Sequence, residues 1–131
     1  RLEGAGGSGV MPPLNTEDRL RLAAVAKNIK SMQFVQKEDG MLSSDETVGI
    51  YNVGYWQRRF PGYEAFNEIR LVRKGELVGE GKNWYKQELI GTILDGLRGI
   101  EHRLLLRKAG SSPALIALKD ADIVVAPYII P

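Results

Sequence analysis

The stretch Glu101–Pro131, EHRLLLRKAGSSPALIALKDADIVVAPYIIP, decides how the chain folds. His102, Leu104 and Leu106 alternate with Arg103, Leu105 and Arg107, which is the two-residue period of a strand. The strand ends at Gly110-Ser111-Ser112-Pro113, residue types that favour turns. Ala114–Leu118 and Asp122–Ile130 are predicted as two further strands, joined through Lys119-Asp120. Connections this short suit antiparallel neighbours. Pro127 has no amide to give to a ladder, which predicts an edge position or a bulge for the last strand.

Upstream the period changes. Ile90, Ile93, Leu94, Leu97 and Ile100 recur at helical spacing, with Gln87, Glu88, Asp95 and Arg98 opposite, so a helix is predicted over Asn83–Gly99. Gly91 and Gly96 weaken it, and Gly99 suits its C-terminal cap. Glu68–Lys74 reads as a strand with Ile69 and Leu71 on one face, turned by Lys74-Gly75 into a partner through Leu77 and Val78. Thr47–Gln57 alternates as a strand with Val48, Ile50 and Trp56 on one side and Tyr51, Val53 and Tyr55 on the other. Phe60-Pro61-Gly62 breaks that pattern as a turn. A polar loop is predicted over Ser43–Glu46, and a short strand over Met32–Glu38 that closes at Asp39-Gly40.

Before these strands, Asn15 or Thr16 can cap a helix whose first turn holds Glu17 and Asp18. Leu22, Val25, Ala26 and Ile29 form its buried stripe. Residues 1–10 are rich in glycine and read as a flexible head or linker left by cloning or processing, so the domain is taken as 11–131. The order of helix, strands, helix and strands is an α+β plan: a mainly antiparallel sheet with two helices packed on one face. The remaining strand faces are expected to be exposed or to meet another subunit.

Composition bounds the function. A chain of 131 residues with 44% hydrophobic and 26% charged residues has the makings of one globular core. The absence of cysteine excludes disulfides, thiolate metal sites and thiol catalysis. A net charge of +2, from 18 basic and 16 acidic residues, does not by itself point to nucleic acid or an anionic membrane. With no apolar run of spanning length and no leader pattern, a soluble, cytoplasmic protein without a membrane partner is expected.

Eight of the ten aromatic residues lie between Tyr51 and Tyr85, interleaved with four arginines. Tyr55, Trp56, Arg58, Arg59, Phe60, Tyr63, Trp84 and Tyr85 are the candidate binding residues. Three roles suit them. Rings of this size fill cores; tryptophan, tyrosine and arginine dominate protein interfaces; and rings flanked by arginines stack the bases of single-stranded nucleic acid while following its phosphates. The near-neutral charge disfavours the last role. The preferred reading is a small interaction or assembly protein that presents this surface to a protein partner or to itself as a homo-oligomer. A single-strand binding module comes second, and a small enzyme or ligand-binding domain with a pocket between sheet and helices third.

No catalytic residue, metal site or cofactor is predicted. His102 is the only histidine, and Glu101 beside it points to the opposite face of a strand. Asp120 and Asp122 share a strand face but sit where turn chemistry selects aspartate. Gly79-Glu80-Gly81-Lys82 lacks the spacing and the hydroxyl residue of a phosphate loop and reads as a turn or bulge.

Overall fold

The computed structural model describes residues 34–37, 40–119 and 121–129. The glycine-rich head, the first expected helix with its Leu22 to Ile29 stripe, and Asp120 lie outside them.

Among the described residues six strands make the larger sheet: β1 (Phe34–Gln36), β2 (Val48–Tyr51), β3 (Tyr63–Ala65), β7 (His102–Arg107), β8 (Ala114–Leu118) and β9 (Asp122–Val125). They lie in the order β1-β2-β9-β8-β7-β3, and every pairing except β1 with β2 is antiparallel. The smaller sheet is an antiparallel meander of β4 (Val72–Lys74), β5 (Leu77–Glu80) and β6 (Asn83–Lys86). Two helices are described, α1 (Tyr55–Arg59) and α2 (Gln87–Gly96). The fold is α+β with mainly antiparallel sheets.

The closing stretch forms the middle of the larger sheet because both of its faces are buried. Ala114, Ile116, Leu118, Ile123, Val125, Leu104 and Leu106 pack with Val78 and Tyr85 of the small sheet, with Leu89, Ile90 and Ile93 of α2, and with Leu97 just after it. Leu105, Leu115 and Val124, one position out of phase, pack on the other face with Tyr51 and Trp56. A strand covered on both sides loses polar alternation, which is why β8 and β9 read as almost continuous apolar runs. Thus α2 covers one face and α1 the other, and the face left over by the sequence reading is covered largely by the chain's own aromatic residues.

Four local expectations are corrected. The strand predicted over Thr47–Gln57 stops at Tyr51 and turns through Gly54, whose φ of 79° suits glycine. The Gly54 N–H donates to Asp122 Oδ2 at 2.9 Å and Tyr55 N–H to Asn52 O at 3.0 Å, starting α1 and swinging Trp56 onto the face of Tyr51. Glu68–Arg70 is a 3₁₀ turn, because Asn67 Oδ1 accepts from Ile69 N–H at 3.0 Å and caps it; Ile69 is left 85% exposed. Asn83–Lys86 is a strand and the helix begins only at Gln87, since the Gly81-Lys82 turn folds β6 back on β5. Finally, β9 is internal and ends at Val125, so Pro127 falls beyond the ladder. It sits between Ala126, whose N–H reaches Thr47 O, and Tyr128, whose N–H reaches Trp84 O.

Candidate functional site

The aromatic segment separates into two groups. Tyr55, Trp56, Arg58, Arg59, Phe60 and Tyr63 come together around α1, while Trp84 and Tyr85 stand on β6 in the smaller sheet. Within the first group, Tyr51 and Tyr55 stack with ring centroids 5.7 Å apart and planes at 8°. Trp56 lies 5.1 Å from Tyr51 and 4.8 Å from Phe60, tilted against both. The offset and tilted arrangements are those aromatic quadrupoles favour.

Both tryptophans belong to the interior. Trp56 is 1% and Trp84 8% exposed, and their indole N–H groups are satisfied within the chain. Trp56 Nε1 donates to Tyr63 Oη at 3.1 Å, and Tyr63 Oη donates onward to Pro113 O at 2.7 Å. Trp84 Nε1 donates to Gly81 O at 3.1 Å, and Tyr85 Oη to Ser112 O at 2.7 Å. Burial pushes the Tyr51 phenol up to about 12 and raises those of Tyr63 and Tyr85, so all three are neutral at physiological pH. These rings are packed within the fold, and on the outer side of α1 Arg58 and Arg59 are exposed.

That outer side is built on arginine. Arg59 Nη1 donates to Tyr55 Oη at 2.7 Å, and the same oxygen accepts from Gly40 N–H at 2.8 Å. The Arg59 guanidinium carbon sits 5.6 Å from the Tyr55 centroid and 5.8 Å from that of Phe60. Arg107, at the end of β7, also lies 5.8 Å from Phe60 and donates through Nε to Pro61 O at 2.8 Å. Cation–π contacts of this kind hold a guanidinium at the surface without consuming all its donors. Among the described residues, none of Arg58, Arg59 and Arg107 has an ion-paired carboxylate.

Two residues essential to this arrangement carry no local sequence signal. Arg107 reads as an ordinary polar position of a strand, yet it reaches Phe60 from far along the chain. Asp122, read as a turn residue, is fully buried and holds the start of α1. Burial raises its pKa, opposed by the hydrogen bond from Gly54 N–H, the Gln57 side chain and the charge of Arg58.

The remaining candidates resolve simply. His102 Nδ1 lies 2.7 Å from Ile100 O and so carries the proton there, beside a cleft of about 400 Å³ that also touches Glu68 and Arg103. The Gly79–Lys82 segment contains the turn between β5 and β6. Among the described residues no group of three histidine or carboxylate side chains is placed to hold a metal ion, and no helix is long and apolar enough to cross a membrane. No family model, curated protein or solved structure matches this chain.

Proposed function

We propose that the protein is an interaction module that docks the outer side of α1 against a protein surface, a second copy of itself or a partner bearing carboxylates. The observation that carries this reading is the state of Arg59: exposed, pinned by Tyr55 and Phe60, and without an ion-paired carboxylate among the described residues. An arginine already ordered in the free protein loses little side-chain entropy on binding, the property of an interface hot spot. Arg58 beside it is exposed as well. Exposed Ile69 and Val72, the latter on the outer strand of the small sheet, add apolar surface of the kind association covers.

The single-strand reading draws on the same arginines but has fewer rings to offer. Both tryptophans are buried, and Phe60 is flanked by two guanidiniums. Sedimentation velocity over a concentration series, with wild type and Arg58→Ala/Arg59→Ala, tests the proposal. The expected result is a concentration-dependent mass that the double variant shifts by about tenfold in concentration or more. A wild type that stays monomeric throughout, and binds no acidic protein surface, refutes it. An accompanying titration with a single-stranded oligonucleotide at two salt concentrations would favour the other reading if the double variant made the slope of log affinity against log salt shallower by about 0.7 per lost contact.

A further inference from the structure

A second surface, which shares Arg107 with the outer side of α1, has the makings of a small-molecule site. Between the β3–β7 edge of the larger sheet and the β5–β6 turn of the smaller one lies a cleft of about 700 Å³. That volume is within the usual range for organic ligands. Its walls are joined by a buried asparagine. Asn83 Nδ2 donates to Arg107 O, and Asn83 Oδ1 accepts from Ser112 N–H at 2.9 Å, tying the turn to the loop after β7. Tyr85 Oη bonds Ser112 O of the same loop. These hydrogen bonds fix the walls of the cleft relative to one another, which lowers the cost of ordering them around a ligand.

Its charge is one-sided. Arg70, Lys82, Arg107 and Lys108 line it against Glu64 and Glu80, an excess of two positive charges. Lys108 and Glu64 are 4.0 Å apart with both side chains mostly exposed, too loose a pair to neutralise either. Among the described residues Arg70 and Lys82 have no ion-paired carboxylate. Part of the lining is apolar, from Phe66 and Leu106. A phosphomonoester carries about −1.5 to −2 at pH 7, which matches the excess, and its organic body can cover the phenyl ring. We infer that this cleft binds a small organic phosphomonoester, its phosphate taken by the Arg70, Lys82 and Lys108 side and its apolar part seated on Phe66.

The test is an NMR titration of the full chain with phenyl phosphate, followed through backbone amide shifts. Saturable shifts are expected at Lys82, Lys108 and Gly110. Affinity should fall about tenfold or more in Arg70→Gln/Lys82→Gln, because two charge-assisted contacts are lost. Both substituted side chains are exposed, and an unchanged spectrum in the absence of probe shows that the variant is folded. Glu64→Gln removes a repelling charge and should tighten binding. Arg58→Ala/Arg59→Ala should leave it unchanged, so the outcome is independent of the docking proposal. Inorganic phosphate should bind several-fold more weakly than phenyl phosphate. Shifts that do not saturate at millimolar probe, or an affinity unaltered in Arg70→Gln/Lys82→Gln, overturn the site; equal affinity for inorganic phosphate overturns the organic ligand.

Discussion

Removing the Asp122 carboxylate should loosen the helix that presents Arg58 and Arg59. Asp122 begins β9, is fully buried, and accepts the Gly54 N–H at 2.9 Å through Oδ2, while Oδ1 has no hydrogen-bond partner among the described residues. In Asp122→Ala the Gly54 N–H loses its acceptor, a loss of about 1–3 kcal/mol, and the missing atoms leave a void beside α1 that adds to it. Asp122→Asn retains a carbonyl oxygen for Gly54 and removes the cost of burying a charge, so at neutral pH it should remain within about 1 kcal/mol of wild type. The pH dependence gives the sign. Burial raises the folded pKa above the ordinary 3.8, so this group's contribution to stability is fully present below 3.8 and is lost as pH rises through the raised value. The asparagine variant does not titrate there. Its stability relative to wild type should improve from pH values near 3.8 toward neutrality. Urea unfolding midpoints across that range, at constant m, measure it. If Asp122→Asn falls as far as Asp122→Ala at neutral pH, the charge and not the acceptor holds α1; if the gap is flat with pH, the burial argument fails.

Leu97 is wholly buried at the end of α2, so Leu97→Ala should lower stability by about 2–5 kcal/mol in denaturant titration. Exposed Glu88→Ala should change it by no more than about 0.5 kcal/mol, and similar values for the two would refute the helical stripe. Trp56 and Trp84, at 1% and 8% exposure, should show blue-shifted emission and weak acrylamide quenching; efficient quenching of both would contradict their burial. A Cβ at Gly79 would overlap the Asn83 carbonyl oxygen and the Trp84 Cα across the β5–β6 pair. Gly79→Ala is therefore expected to lower the melting temperature by several degrees, and an unchanged value would mean that the hairpin shifts freely.

Repetitive patterns were legible in the sequence. The alternation of His102–Arg107, the apolar runs of Ala114–Leu118 and Ile123–Val125, and the Ile90, Ile93, Leu97 stripe lead directly to β7, β8, β9 and α2. Lys74-Gly75 likewise identifies the turn between β4 and β5. These features repeat a local geometric period, and several residues report it together. The α+β class follows from their order, as does the grouping of Tyr55 through Tyr63, which are near neighbours in the chain.

What only the tertiary structure decided are the places where one distant contact outweighs local preference. Thr47–Gln57 alternates well enough for a continuous strand, but the carboxylate of Asp122, 68 positions from Gly54, stabilises a turn and a helix instead. Asn83 similarly begins a strand, bonded to Arg107 and Ser112 across the cleft, although its own neighbours suit a helix. The fate of the aromatic residues was undecidable for the same reason. A tryptophan is equally at home in a core or on a contact surface, and its position depends on which face of the sheet remains to be covered once α2 occupies the other. The sequence concentrates rings and arginines in one segment; the packing buries the indoles and leaves the guanidiniums outside, because burying an unpaired charge is costly while burying an indole with its N–H satisfied is favourable.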